Sequence, residues 1–272
     1  MPAVLLDDRS IIAVSGPEAR HFLQGLVTCD MEKIGPDAPA FGALLTPQGK
    51  ILFDFFVIES DDGFLLDAAR EKAADFVKRL GFYRLRAKVQ IEDRSADARG
   101  DEALAVVALI GETAPPADAL VYADPRAAAL GRRAILSRAA ARNVATGGVD
   151  LYEAQRIACG VPKGGVDFAY GDAFPHETNM DWLHGVAFDK GCYVGQEVVS
   201  RMQHRGLARK RVLKVEVDGD AAPCAEIRAG EIAVGALGGV LGGKGLATIR
   251  TDRLGEAQGL PLTAGGARVR VL

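Results

Sequence analysis

Apolar positions along the first hundred residues change period several times, and each change marks an element. Ala3–Leu6 and Ile11–Val14 are short apolar runs around a turn at Asp7–Ser10, the pattern of two strands. Ser15 followed by Glu18 is a capping-box pattern, Pro17 suits a first helical turn, and Phe22, Leu23 and Leu26 form an apolar stripe. Together they predict a helix over 16–27. Phe41–Thr46 and Lys50–Glu59 read as strands flanking a Pro47-Gln48-Gly49 turn, and Asp61-Asp62-Gly63 reverses the chain into Phe64–Ala68. A helix over 70–80, stopped by Gly81, precedes a strand at Val89–Glu92.

Beyond residue 100 the pattern loosens. Ala103–Ile110 reads as a strand, the Ala- and Pro-rich stretch 112–129 as a surface connection, and Asp150–Cys159 as a helix stopped by Gly160 and Pro162. A glycine-rich loop, 163–172, follows. After Arg211 the chain turns Gly-rich with short strands at Arg211–Val217, Glu231–Leu237 and Gly245–Arg250, the composition of a small β-barrel or sandwich. Strands interleaved with helices and joined by hairpins predict an α+β fold. The domains expected are 1–206, in two lobes, and a barrel over 207–272.

Charge narrows the partners. Thirty-three basic against 36 acidic residues leave a net charge of −3, which gives no general attraction for nucleic acid or an anionic membrane. No apolar run reaches the roughly 18 residues of a membrane span, and MPAVLLDDRS lacks the basic start of a secretory signal. The cytoplasm is the expected compartment. Cys29, Cys159, Cys192 and Cys224 form no CxxC pair and are expected as free thiols.

The densest chemistry lies in Phe188-Asp189-Lys190-Gly191-Cys192-Tyr193-Val194-Gly195-Gln196-Glu197, followed by a helical pattern over Val198–Met202. A thiol at the mouth of a helix beside a lysine is a reactive or metal-capturing thiolate. Equally, Cys192 reads as a small side chain filling a gap beneath a glycine turn. His176, His184 and His204 lie nearby at no standard ligand spacing and read as surface or hydrogen-bonding residues. Arg201, Arg205, Arg209, Lys210 and Arg211 form a basic run, either a solvated face or an attractor for an anionic tail or acidic partner.

Lys190 to Glu197 resembles the K-G-C-[FY]-x-G-Q-E signature of the YgfZ family of folate-binding proteins. Further pieces resemble that family in order: Phe22-Leu23-Gln24-Gly25 with Thr28 and Asp30, Thr46–Lys50 with Asp54-Phe55, Tyr83–Val89, Arg156-Ile157 with Gly160 and Pro162, and Phe174–Glu177. The resemblance implies a GcvT-like three-lobed fold around tetrahydrofolate, possessing a small C-terminal β-barrel. It implies a monomeric accessory role in assembling or maintaining [4Fe–4S] enzymes, with assembly proteins and client enzymes as partners. Cys192 would be the essential thiol and a transient cluster ligand, assisted by Lys190. Tyr83, Arg86, Arg156, Glu177, Gln196 and Glu197 would contact the folate, polyglutamylated or not.

A folate-dependent aminomethyltransferase is the alternative. The related transferases carry an acidic pair where this chain has Phe53-Asp54, and a phenyl ring at the first position accepts no proton. Asp54 is expected as a surface or turn-facing carboxylate. Their pterin-gripping glutamate corresponds here to Ala158.

Overall fold

The computed structural model describes residues 2–206, 208–257 and 259–272. The first part runs β1 (Ala3–Leu5), β2 (Arg9–Ser15), α1 (Ala19–Gln24), β3 (Ala40–Leu45), β4 (Ile51–Ser60), β5 (Gly63–Ala69), α2 (Ala73–Arg84) and β6 (Gln90–Asp93). Next come β7 (Leu104–Leu109), β8 (Leu120–Ala123), β9 (Arg132–Ser137), α3 (Arg138–Val144), α4 (Val149–Ala158) and α5 (Gln196–Arg205). The chain closes with β10 (Lys210–Asp218), β11 (Glu226–Ala229), β12 (Ile232–Leu241), β13 (Lys244–Arg250), α6 (Thr251–Glu256), β14 (Leu262–Ala264) and β15 (Ala267–Val271).

The strands form three antiparallel assemblies: a five-stranded sheet β3-β4-β5-β2-β6, a four-stranded sheet β1-β7-β9-β8, and a closed barrel β10-β13-β12-β11-β14-β15. The turn at Asp7 and Asp8 hands the chain from one sheet to the other, since β1 pairs with β7 while β2 pairs with β5 and β6. Strand β4 is covered on both faces. Phe53, Phe55 and Val57 join the core beneath α1 and α2, where Phe53 stacks on Phe76 at 4.6 Å. Phe56 and Ile58 join the core between the two sheets, as strand alternation requires, and Ile51 reaches the same core because the β3–β4 register shifts between Leu44 and Leu45.

Local signals were overridden at two helices. The Glu18 carboxylate accepts from the Lys88 amide at 2.8 Å instead of closing a capping box, and α1 is confined to Ala19–Gln24. Helix α2 runs through Gly81 to Arg84; a mid-helix glycine costs about 1 kcal/mol, which burial of Phe76 and Leu80 on the same helix offsets.

The stretch 112–129 is not merely a surface connection, because it contains β8 and half of a buried charge network. Asp67 accepts from Arg9 Nε at 2.6 Å, Tyr122 Oη at 2.6 Å and Arg133 at 2.7 Å. Asp124 pairs with Arg126 at 2.7 Å, and Tyr152 accepts from both Arg126 and Arg133. The Arg126 and Arg133 guanidiniums lie 4.6 and 4.2 Å from the Phe56 ring centre. Burial alone would push the Asp124 carboxyl up, but Arg126 and Arg133 outweigh it and hold it at about 2. This network joins the two sheets and α4 around the centre of the molecule.

Candidate functional site

The Cys192 thiol is exposed, on an irregular segment three residues before the left-handed Gly195 that caps α5. Helix α5 starts at Gln196, so the sulfur lies outside the first turn, where a helix dipole acts. Lys190 is also not where the sequence reading put it. Its ammonium is buried and donates to the carbonyls of Gln24, Val27 and Cys29 at 2.8, 2.7 and 2.7 Å. Three carbonyls left at the end of α1 and in the following turn draw the charge inward. Desolvation holds its pKa below the usual lysine value. Lys190 is therefore an anchor for the loop, its ammonium held by three backbone carbonyls.

Three separated sequence segments converge to present this loop. Thr28 Oγ1 donates to the Gly185 carbonyl at 2.6 Å and accepts from the Ala43 amide at 2.8 Å, while the Ala187 amide donates to the Thr28 carbonyl at 2.9 Å. Gln24 holds the underlying turn through Asp30 at 2.9 Å and the Met31 amide at 2.8 Å. Gly195, at φ +83°, lies against the Thr46–Lys50 turn so closely that a Cβ there would sit 2.5 Å from the Thr46 carbonyl oxygen. Gly191 faces open space. Phe188, 39% exposed, and Trp182, 59% exposed with Arg211 stacked at 4.1 Å, add apolar surface on the neighbouring chain. Sequence reasoning did not single out Thr28 and Gln24 as supports; the spacing of Thr28 carries no signal for a partner 157 residues away.

The centre of the molecule holds a cavity of about 30 Å³, lined by Arg9, Asp54, Arg126, Arg133, Arg156 and Tyr170 among others. Asp54 is buried and faces this cavity, correcting the expectation of a surface carboxylate. Phe53 points to the α2 layer on the opposite face of β4, so its replacement of an acid does not bear on the cavity. The Tyr170 hydroxyl donates to Asp54, and burial together with that carboxylate raises the phenol far above its ordinary value. Arg156 is buried and committed to Asp167 at 2.6 Å and Glu153 at 2.8 Å.

The cavity itself, about 30 Å³, is far below the roughly 300–1,000 Å³ of ligand pockets, and a cleft of about 440 Å³ that shares Asp8, Ala69, Lys163 and Gly164 adjoins it. The expected folate contacts do not assemble. Of the six, only Arg156 lines the cavity. Tyr83 and Arg86 lie at and beyond the exposed end of α2, Gln196 and Glu197 open α5, and Glu177 accepts from the Phe174 amide at 2.9 Å.

Among the described residues no group of His, Cys, Asp and Glu could hold a metal ion. His176 is buried and bonded to Gln203 at 3.0 Å, while His184 and His204 are exposed. Cys29 is sealed in the core, where burial pushes its thiol up to about 12. Cys159 is half-buried, and Cys224 is exposed on the barrel. Of the two exposed thiols, Cys192 is carried by a loop pinned from several sides, while Cys224 precedes Ala225, whose carbonyl accepts from the Leu237 amide at 2.9 Å.

Comparison with known proteins places this geometry. Residues 209–272 match the family model described as CAF17, C-terminal beta-barrel domain. The chain is 33% identical over 228 residues to the mitochondrial iron–sulfur cluster assembly factor IBA57 homolog of Neurospora crassa, covering 76% of this chain and 52% of that relative. It is 31% identical over 279 residues to the mitochondrial iron–sulfur cluster assembly factor IBA57 of Mus musculus, covering 92% and 77%. The human protein of the same name is 33% identical, covering 77% and 65%. The chain thus spans about half the length of the fungal relatives it matches.

A solved structure, the glycine cleavage system aminomethyltransferase T from Bartonella henselae, superposes with a TM-score of 0.77 at 14% identity, covering 99% of this chain and 84% of that one. The fold is therefore GcvT-like α+β with a closed six-stranded C-terminal barrel. The relatives are named mitochondrial, which overturns the cytoplasmic expectation.

Proposed function

The chain belongs to the family of IBA57 iron–sulfur cluster assembly factors, and from that membership we propose that it assists cluster assembly through the Cys192 thiol. The observation that carries this reading is the exposed sulfur on a loop held by Lys190, Thr28 and Gly195. A thiolate is a soft ligand for iron, and a fixed, uncovered one is available to a partner without rearrangement of the fold. The resemblance of Lys190–Glu197 to the YgfZ signature supports the same role for the motif cysteine. Partners in this reading are cluster assembly proteins and the enzymes that receive clusters.

Tetrahydrofolate enters the proposal with a condition: the pterin is admitted only when Tyr170 leaves Asp54. No step of the cluster chemistry is routed through it. The transferase alternative loses its sequence objection at Phe53, which faces away from the cavity that Asp54 lines. The test is anaerobic incubation of the purified chain with a cluster-loaded donor, read by visible absorbance. The wild-type chain takes up cluster and Cys192→Ser does not; equal uptake by both would remove the thiol from the mechanism.

A further inference from the structure

We propose that the groove between α5 and the open end of the barrel docks an acidic peptide segment with an apolar anchor, contributed by a protein partner. Phe174, Val198 and Met202 form its floor, Arg201, Arg209, Lys210 and Arg250 its rim, and it encloses about 350 Å³. That is the lower end of the roughly 300–1,000 Å³ typical of ligand clefts, room for one large side chain and its neighbours. Val198, Arg201 and Met202 recur at i, i+3 and i+4, so one face of α5 supplies both floor and rim. Lys210 and Arg250 are directly opposed in the β10–β13 ladder, and the Thr251 amide donates to the Arg209 carbonyl at 2.9 Å. The barrel thus fixes the backbone carrying three of the four cations.

Charge complementarity selects the occupant. Arg250 is paired with Asp252 at 2.8 Å, whereas among the described residues Arg201, Arg209 and Lys210 have no carboxylate within ion-pair distance. The acid lining the groove, Glu177, turns its carboxylate to the Phe174 amide. In a chain of net charge −3 this is a local excess of positive charge around an apolar floor. Acidic side chains complete the rim, and an aromatic or aliphatic one fills the floor. A stacked nucleobase is a poorer occupant, since the Phe174 ring face is already covered by Lys50 Nζ at 3.7 Å.

Helix α5 begins four residues after Cys192, and at 1.5 Å per residue Val198–Met202 lies within about 10 Å of its start. A segment held in the groove therefore brings its protein to the thiol; that consequence rests on the proposed function, whereas the binding itself does not.

The test uses the full chain and a fluorescein-labelled hexapeptide, Glu-Glu-Phe-Leu-Glu-Glu, by fluorescence polarisation. Arg201→Glu with Lys210→Glu weakens binding about tenfold, and replacing the peptide's Phe-Leu with Ser-Ser does the same. Cys192→Ser binds as the wild type does. Should the charge reversal disturb folding in a thermal melt, Arg201→Gln with Lys210→Gln weakens binding about threefold. Unchanged affinity in a folded charge variant overturns the proposal. So does equal binding of the Ser-Ser peptide, which would leave a bare electrostatic surface, or displacement of the peptide by tetrahydropteroyl triglutamate, which would make the groove a small-molecule site. A Cys192→Ser chain that still takes up cluster, with peptide binding still lost on charge reversal, would sink the thiol reading and leave the groove standing.

Discussion

Lys190 Nζ donates to the carbonyl of Cys29 at 2.7 Å, across 161 residues of sequence and two residues from the exposed Cys192. That bond, with those to Gln24 and Val27, ties the thiol loop to the turn after α1. The lysine of the motif thus positions the loop that carries the cysteine.

Lys190→Met is expected to leave three carbonyls unpaired in a largely buried turn, costing about 3 kcal/mol and lowering the melting temperature by roughly 6–12 °C. Alkylation of Cys192 should then lose its single rate as the loop frays. Lys190→Arg should not restore stability, because a planar fork cannot aim one nitrogen at three carbonyls. Calorimetry together with iodoacetamide kinetics checks both statements.

The two glycines flanking the thiol should respond oppositely to the same change. Gly195→Ala places a Cβ 2.5 Å from the Thr46 oxygen at φ +83° and is expected to cost at least about 2 kcal/mol. Gly191→Ala enters open space and should alter stability by no more than about 0.5 kcal/mol. Urea unfolding of the two variants measures the difference.

Tyr170 lines the central cavity and donates to Asp54, so the proposed folate site predicts that its removal raises folate affinity. Breaking its bond to the Asp54 carboxylate contributes about 1.5–3 kcal/mol to the cost of opening, or a factor of roughly 10–100 in affinity. Titration calorimetry with tetrahydrofolate should rank Tyr170→Ala above Tyr170→Phe and both above the wild type. Equal affinities would mean that folate, if bound, does not use this cavity.

Acid should expose the buried charge network. The Asp124 carboxyl sits at about 2 in the folded chain against an ordinary 3.8, so the unfolded chain binds more protons between those values. The stabilisation, about 2 kcal/mol, is complete above pH 4 and lost as pH falls towards 2. Asp124→Asn should lower stability near neutrality and flatten that part of the pH dependence. Circular dichroism at stepped pH in urea reports it.

Much of the fold was legible because strand alternation and turn residues are local signals: β3, β4 and β5 lie within a residue or two of their expected places, and the Gly-rich end forms a barrel. What was illegible depended on partners far away. Glu18 looked like half of a capping box because its true partner, the Lys88 amide, is 70 residues distant. Asp124 and Arg126 sit in a bland Ala- and Pro-rich stretch, and only the approach of Arg133 and Tyr152 gives them a role. At the site, Cys192 stood out by composition, but the direction of Lys190 did not. A lysine next to a cysteine in sequence says nothing about which side of the loop its ammonium takes.

The role of Cys192 is tested most directly in cells lacking this protein, by measuring the activity of a [4Fe–4S] enzyme after return of the wild-type, Cys192→Ser or Cys224→Ser chain at matched abundance. Wild type and Cys224→Ser should restore activity, while Cys192→Ser should leave it at the level of the empty vector. Full restoration by Cys192→Ser would contradict the account.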